Sequence, residues 1–131
     1  MRYILKYQLP PLLWLAFIFF LSSWSMLATL QSPVGFDKVI HAIMWFVLCL
    51  LTRRAFFHQQ RFRWLRRHDL WGALLATTLY AALDEYYQTF VPARTSDIAD
   101  VAADFTGALL FVLLFLLKER LRRGGEKPGG V

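Results

Sequence analysis

Four long apolar runs, separated by short polar stretches, set the plan of the chain. They span about residues 9–30, 38–57, 69–90 and 98–117. The first holds no charge, and at about 1.5 Å per helical residue its length reaches roughly 33 Å, enough for a hydrocarbon core of about 30 Å. Pro10 and Pro11 suit the first turn of a helix, where a missing amide donor costs nothing. The same run is too long for the core of a cleaved signal peptide, and no small-x-small site follows it. The pattern therefore predicts an all-α integral membrane bundle of four transmembrane helices, one domain over residues 1–123 with a disordered tail at 124–131.

The connections are polar in different ways. Ser32, Pro33 and Gly35 predict a tight turn before the second helix, with Asp37 as that helix's cap. Six arginines fall within 53–68 among Phe and Trp residues, a composition suited to the lipid surface or to a topogenic basic loop. Residues 91–96 form a short link containing Pro92, and Ser96 or Asp97 is placed to cap the fourth helix.

Composition agrees with this pattern: 57% of the residues are hydrophobic and 17% aromatic, well above a soluble domain. The lone Cys49 sits in an apolar run, which excludes an intrachain disulfide and argues against zinc. The net charge of +6 would suggest nucleic acid only if it formed a patch on a soluble fold, and its distribution points elsewhere. Of the fifteen Lys and Arg, two lie in the N-terminal segment, six in the 53–68 connection and five in the tail, and four spans place all thirteen on one side. The positive-inside rule makes that side cytoplasmic, with both termini there. Lys38 and Arg94 lie on the other side with six of the nine carboxylates.

Five of those carboxylates crowd into one stretch, DEYYQTFVPARTSDIADVAADFTG, residues 84–107. Ionisable groups within apolar segments are costly, so they face a protein interior or water and mark a site. Helical spacing puts Asp84, Glu85 and Gln88 close together, and sets Asp97, Asp100, Asp104 and Gly107 on one stripe that must face the bundle. Asp104, about 10 Å below Asp97, is expected to be the most desolvated acid. Gly107 is expected to admit a close helix neighbour. His41 lies one helical turn after Asp37 and reads either as a paired structural histidine or as a proton carrier. Tyr86, Tyr87 and Trp24 read as interfacial anchors, and the two tyrosines also as surfaces for ring stacking. Ser22, Ser23 and Ser25 carry no nucleophile motif.

Taken jointly, Asp37-Lys38-x-x-His41 and Asp84-Glu85-x-x-Gln88-x-Phe90-x-Pro92-x-Arg94-x-x-Asp97-x-x-Asp100-x-x-x-Asp104-x-x-Gly107 resemble the VanZ-like membrane proteins over residues 9 to 117. Ala93 stands where those proteins usually carry Gly, and Asp104 where they usually carry Asn. The resemblance implies a multi-pass protein of the bacterial cytoplasmic membrane with a link to the cell envelope, in a family named for an association with resistance to the glycopeptide teicoplanin.

Four readings of the polar stretch follow. In the preferred one His41, Asp84, Glu85, Gln88, Arg94, Asp97, Asp100 and Asp104 bind an envelope lipid, a lipid-linked envelope precursor or a glycopeptide: carboxylates and Gln88 meet sugar hydroxyls and amines, and Arg94 meets a phosphate. In the second, Asp84 or Glu85 pairs with Asp100 or Asp104 for general acid–base catalysis, with His41 carrying protons. In the third, His41, Glu85, Asp100 and Asp104 would hold a metal, although no spacing matches a metal motif, so no metal and no other cofactor is expected. In the fourth, the network only fixes helix packing. Membrane lipids are the expected surroundings, nucleic acid is not an expected partner, and the small volume inside four short helices leaves room for a homodimer.

Overall fold

The computed structural model describes residues 2–24, 35–92, 94 and 96–125. Within them the chain is helical, with no strand. A π-helical turn, Ile4–Gln8, leads into α1 (Leu9–Ser23). Then come α2 (Phe36–His58), the short α3 (Arg63–Arg67), α4 (Asp69–Gln88) and α5 (Ile98–Gly125). The expected continuation of the first span over 25–30, the turn residues 31–34, Ala93 and tail residues 126–131 lie outside the described residues.

Three boundaries differ from the sequence expectation. Pro10 and Pro11 do fall in the first turn of α1, but a π-helical turn precedes it, so the helical path starts upstream of them. The wide π turn before them accommodates ring bulk and missing donors that a regular α-turn would not. Gly35, at φ 87°, is the residue before α2, and Asp37 lies in the first turn without a side-chain cap bond. Only glycine adopts that left-handed conformation without cost, so it sets the start of the helix while Asp37 contributes charge near its positive end. The last helix runs to Gly125, two residues into the stretch expected to be disordered. The cap expected from Asp97 is present: its Oδ1 accepts from the Ala99 amide at 2.9 Å.

α2 is the hub. It packs most extensively on α5 and then on α4, α4 also packs on α5, and α1 leans more lightly on α2 and α4. One part of the core gathers Cys49, Ala73, Ala108, Phe111 and Val112, with Phe46 and Phe56 against them. The other gathers Ile18, Trp45, Leu48 and Ala81. Small residues at these crossings let backbones approach, which apolar helices need because lipid offers no hydrophobic drive between them. Gly107 is the limiting case: a Cβ there would collide with the backbone carbonyl of Ala42.

Large apolar side chains point outward along every long helix, among them Phe19, Phe20, Ile43, Leu75, Leu79, Leu113 and Leu114. Ile4–Ser23, Phe36–His58 and Ile98–Gly125 are long and apolar enough to cross a membrane. α4 is long enough as well, but it carries Asp84, Glu85 and Gln88 and does not reach the same hydropathy. The polar groups collect at opposite ends of the bundle. At one end the Tyr7 ring stacks on His58 at 3.8 Å and Arg53 pairs with Asp69 at 2.7 Å. At the other end lie Asp84 and Glu85 of α4 and Asp100 and Asp104 of α5.

Gly107→Val should separate α2 from α5 and lower the thermal unfolding midpoint in detergent. The loss should equal or exceed the 1–3 kcal/mol typical of overpacking, roughly, because the clash is with backbone rather than a movable side chain. Gly124→Val, which meets nothing within 4 Å, should leave the midpoint unchanged.

Candidate functional site

The end of the bundle where α1 finishes and α5 starts contains all eight residues singled out in the sequence, and the structure sorts them into four linked groups. The first centres on Asp84, whose Oδ2 accepts from Ser22 Oγ at 2.6 Å and from Gln88 Nε2 at 3.2 Å. All three are buried. Asp84 and Gln88 meet because they lie one turn apart on α4, while Ser22 arrives from α1.

Arg94 forms the second group. Its Nη2 donates to the Leu21 carbonyl at 2.9 Å, and Nη1 reaches Gln88 Oε1 at 3.5 Å. Nε is buried without a hydrogen-bond partner. No carboxylate among the described residues forms an ion pair with Arg94. The guanidinium is thus held by neutral oxygens and keeps its charge uncompensated at close range.

The third group ties α2 to the start of α5. Lys38 Nζ reaches Asp100 at 2.6 Å, Asp97 at 3.1 Å and Asp37 at 3.6 Å. Glu85 Oε1 accepts from the Asp97 amide, which fixes the link between α4 and α5. The Ala99 amide and then Lys38 hold the Asp97 carboxyl below the usual carboxylate range.

In the fourth group, His41 Nδ1 and Asp104 Oδ1 are 2.9 Å apart. The imidazole lies nearly parallel to the Trp45 indole, with centroids 5.8 Å apart, and that indole donates to the Thr77 carbonyl at 3.3 Å. Asp104 is the least exposed acid of the set at 2%, against 4% for Asp84 and 6% for Glu85, as its depth on the stripe required.

A cavity of about 320 Å³ opens beside these groups. Arg94, Gln88, His41, Ser22 and Asp37 supply its polar wall, and Ile18, Leu21, Ile40, Met44 and Trp45 its apolar wall. Asp84, Glu85, Asp97, Asp100 and Asp104 do not line it, so the eight residues divide into a cavity face of His41, Gln88 and Arg94 and a supporting network behind it. Tyr86 points outward against Phe90, and Tyr87 contacts Ser23 and Phe19. Neither tyrosine lines the cavity, so neither is placed to stack on a ring inside it. Among the described residues no two carboxyl groups share a hydrogen bond, and no three potential metal donors come together.

Ser22, Lys38 and Trp45 belong to the site and were not singled out from the sequence. Ser22 had a signal: a hydroxyl in an apolar span needs a partner, and a buried carboxylate elsewhere in the chain needs donors. Lys38 entered only as a charge and as one position of the family pattern, since its contacts with Asp97 and Asp100 close 59 and 62 residues along the chain.

The VanZ/LLP1 family model matches residues 2–119, a range that includes the whole site. No curated protein and no solved structure is significantly similar to the chain.

Ser22→Ala should remove the shorter of the two donors to the buried Asp84 carboxylate and cost about 1–3 kcal/mol, read as a lower unfolding midpoint in detergent. Asp97 has a pH signature. Its carboxyl value in the folded chain is lowered, so its contribution is present above the ordinary carboxyl value near ~4 and is lost as pH falls through the lowered one. The Ala99 amide should therefore keep its hydrogen-exchange protection at mildly acidic pH and lose it in strong acid, whereas Asp97→Ala should lack it at neutral pH.

Proposed function

This chain belongs to the VanZ/LLP1 family, and from that premise we propose that it is a four-span protein of the bacterial cytoplasmic membrane whose Arg94 cavity binds an envelope amphiphile. The ligand class is a lipid or lipid-linked glycoconjugate with a phosphate near its polar head. The observation that carries this reading is the pairing of an ion-pair-free guanidinium with an apolar wall in one cavity. A phosphate would complete Arg94 through charge-assisted bonds, while Ile18, Leu21, Ile40 and Met44 would lie along the adjoining chain. Gln88, Ser22 and Asp37 offer acceptors and donors for hydroxyl or amine groups.

The charge pattern supports the orientation. Thirteen of the fifteen Lys and Arg belong to the N-terminal segment, the 53–68 connection and the tail, which supports an extracytoplasmic cavity end. There it would meet the outer leaflet, where lipid-linked envelope precursors carry their sugars, and this agrees with the association of the name-giving relative with teicoplanin resistance. α4 is the fourth span in this reading, with its polar residues turned into the bundle.

A second reading, acid–base chemistry on the same ligand, rests on His41, which lines the cavity while paired with Asp104. It predicts a changed ligand as well as a bound one.

Protein purified in native nanodiscs and examined by mass spectrometry should carry a phosphate-containing lipid. Arg94→Ala should reduce its occupancy roughly 10- to 100-fold, the equivalent of one charge-assisted contact of about 1.5–3 kcal/mol, and Arg94→Lys should reduce it less. An unchanged lipid complement in a folded Arg94→Ala protein would overturn the binding reading. His41→Gln protein that binds the lipid but no longer alters it would favour the chemical one.

A further inference from the structure

The opposite end of the bundle contains a second built surface, independent of the Arg94 cavity. α2 and α5 both finish there, and an open cavity of about 730 Å³ lies between their C-terminal turns. A second cavity of about 440 Å³ adjoins it, and the two share Arg53, His58 and Phe115. The sequence treats the basic 53–68 connection and the basic tail as separate features. The fold draws Arg53 and Arg54 of α2 together with Lys118, Arg120 and Arg123 of α5 around this double cavity.

The cations there are of two kinds. Arg53 is fixed: it pairs with Asp69 at 2.7 Å and lies over the Phe115 ring at 4.1 Å and the Phe57 ring at 5.0 Å. Arg122 pairs with Glu119 at 3.2 Å. Arg54, Lys118, Arg120 and Arg123 form no ion pair among the described residues. Below these cations the walls are apolar, with Leu50 and Leu114 on the outward faces of the helices and the core ring of Phe111 behind them. Cations above a hydrocarbon wall suit an anionic head attached to acyl chains, and basic pockets between helices on the positive side of a membrane bind such heads.

We propose that the groove between the C-terminal ends of α2 and α5 is a binding site for an anionic glycerophospholipid, with the anionic head among Arg54, Lys118, Arg120 and Arg123 and the acyl chains against Leu50, Leu114 and Phe115. Arg53, already pinned by Asp69 and the two phenylalanines, forms the floor. The site needs the helical continuation of α5 past Leu117, because that extension raises Lys118, Arg120 and Arg123 beside the end of α2.

The test uses the full-length chain, delipidated in detergent and titrated with phosphatidylglycerol, phosphatidylcholine or inorganic phosphate under native mass spectrometry. Phosphatidylglycerol should bind in preference to phosphatidylcholine, and inorganic phosphate should not displace it. Basic groups near an anionic lipid surface contribute about fivefold each, so Lys118→Gln/Arg120→Gln/Arg123→Gln should weaken phosphatidylglycerol roughly a hundredfold. The matched triple Arg61→Gln/Arg63→Gln/Arg66→Gln removes the same charge from the connection, outside both cavities, and should leave the affinity nearly unchanged. Equal weakening in the two triples would mean diffuse attraction to a basic surface and would overturn the site. Effective competition by inorganic phosphate would overturn the lipid assignment in favour of a free anion. If the α5 triple fails to fold, Arg120→Gln and Arg123→Gln singly, each compared with Arg63→Gln, give the same decision at about fivefold.

Discussion

An acid inside an apolar bundle must be met by a donor, and most of this structure's long-range geometry follows from that requirement. Asp84 is met by Ser22 from α1, Asp104 by His41 from α2, and the acids at the start of α5 by Lys38 from α2. Each bond joins two helices. With helix–helix packing in lipid driven mainly by shape, such polar cross-links also fix which helices meet and at what height. Gly107 completes the arrangement, since the approach of α5 to the Ala42 carbonyl brings Asp104 to His41.

Arg94 is the exception that gives the site its character. Every acid in the cluster has a donor, whereas the one arginine is held by a carbonyl and an amide oxygen and keeps a buried nitrogen without a partner. It forms no ion pair with any of the five nearby carboxylates. The carboxylates are instead committed to Ser22, Lys38, His41 and backbone amides, which leaves the guanidinium available at the cavity. The two ends of the bundle then divide the charge: acids with a lone arginine at one, and a ring of arginine and lysine with aromatic walls at the other.

The segments that join these features are short and specific. Gly35 starts α2 with a conformation that other residues rarely adopt, and Asp97 caps α5 two residues before the Ala99 amide. The cap and the Lys38 contact use different oxygens of one carboxylate, so the start of α5 and its attachment to α2 are set together.

Read alone, the chain determined the helical class, the apolar runs, the asymmetry of basic charge and the stripe of Asp97, Asp100, Asp104 and Gly107. All of these depend on spacing within a single helix, where rise and turn convert sequence directly into a face. The depth of Asp104 and the close approach at Gly107 followed for the same reason. Only the tertiary structure decided that Ser22 serves Asp84, that Lys38 gathers three acids, that Trp45 backs His41, and that Asp84, Glu85, Asp97, Asp100 and Asp104 stand behind the cavity. Those contacts join residues far apart in the chain. Helix rotation and relative height select them, and these are set by how small residues let four rods settle against one another, a quantity no local pattern encodes.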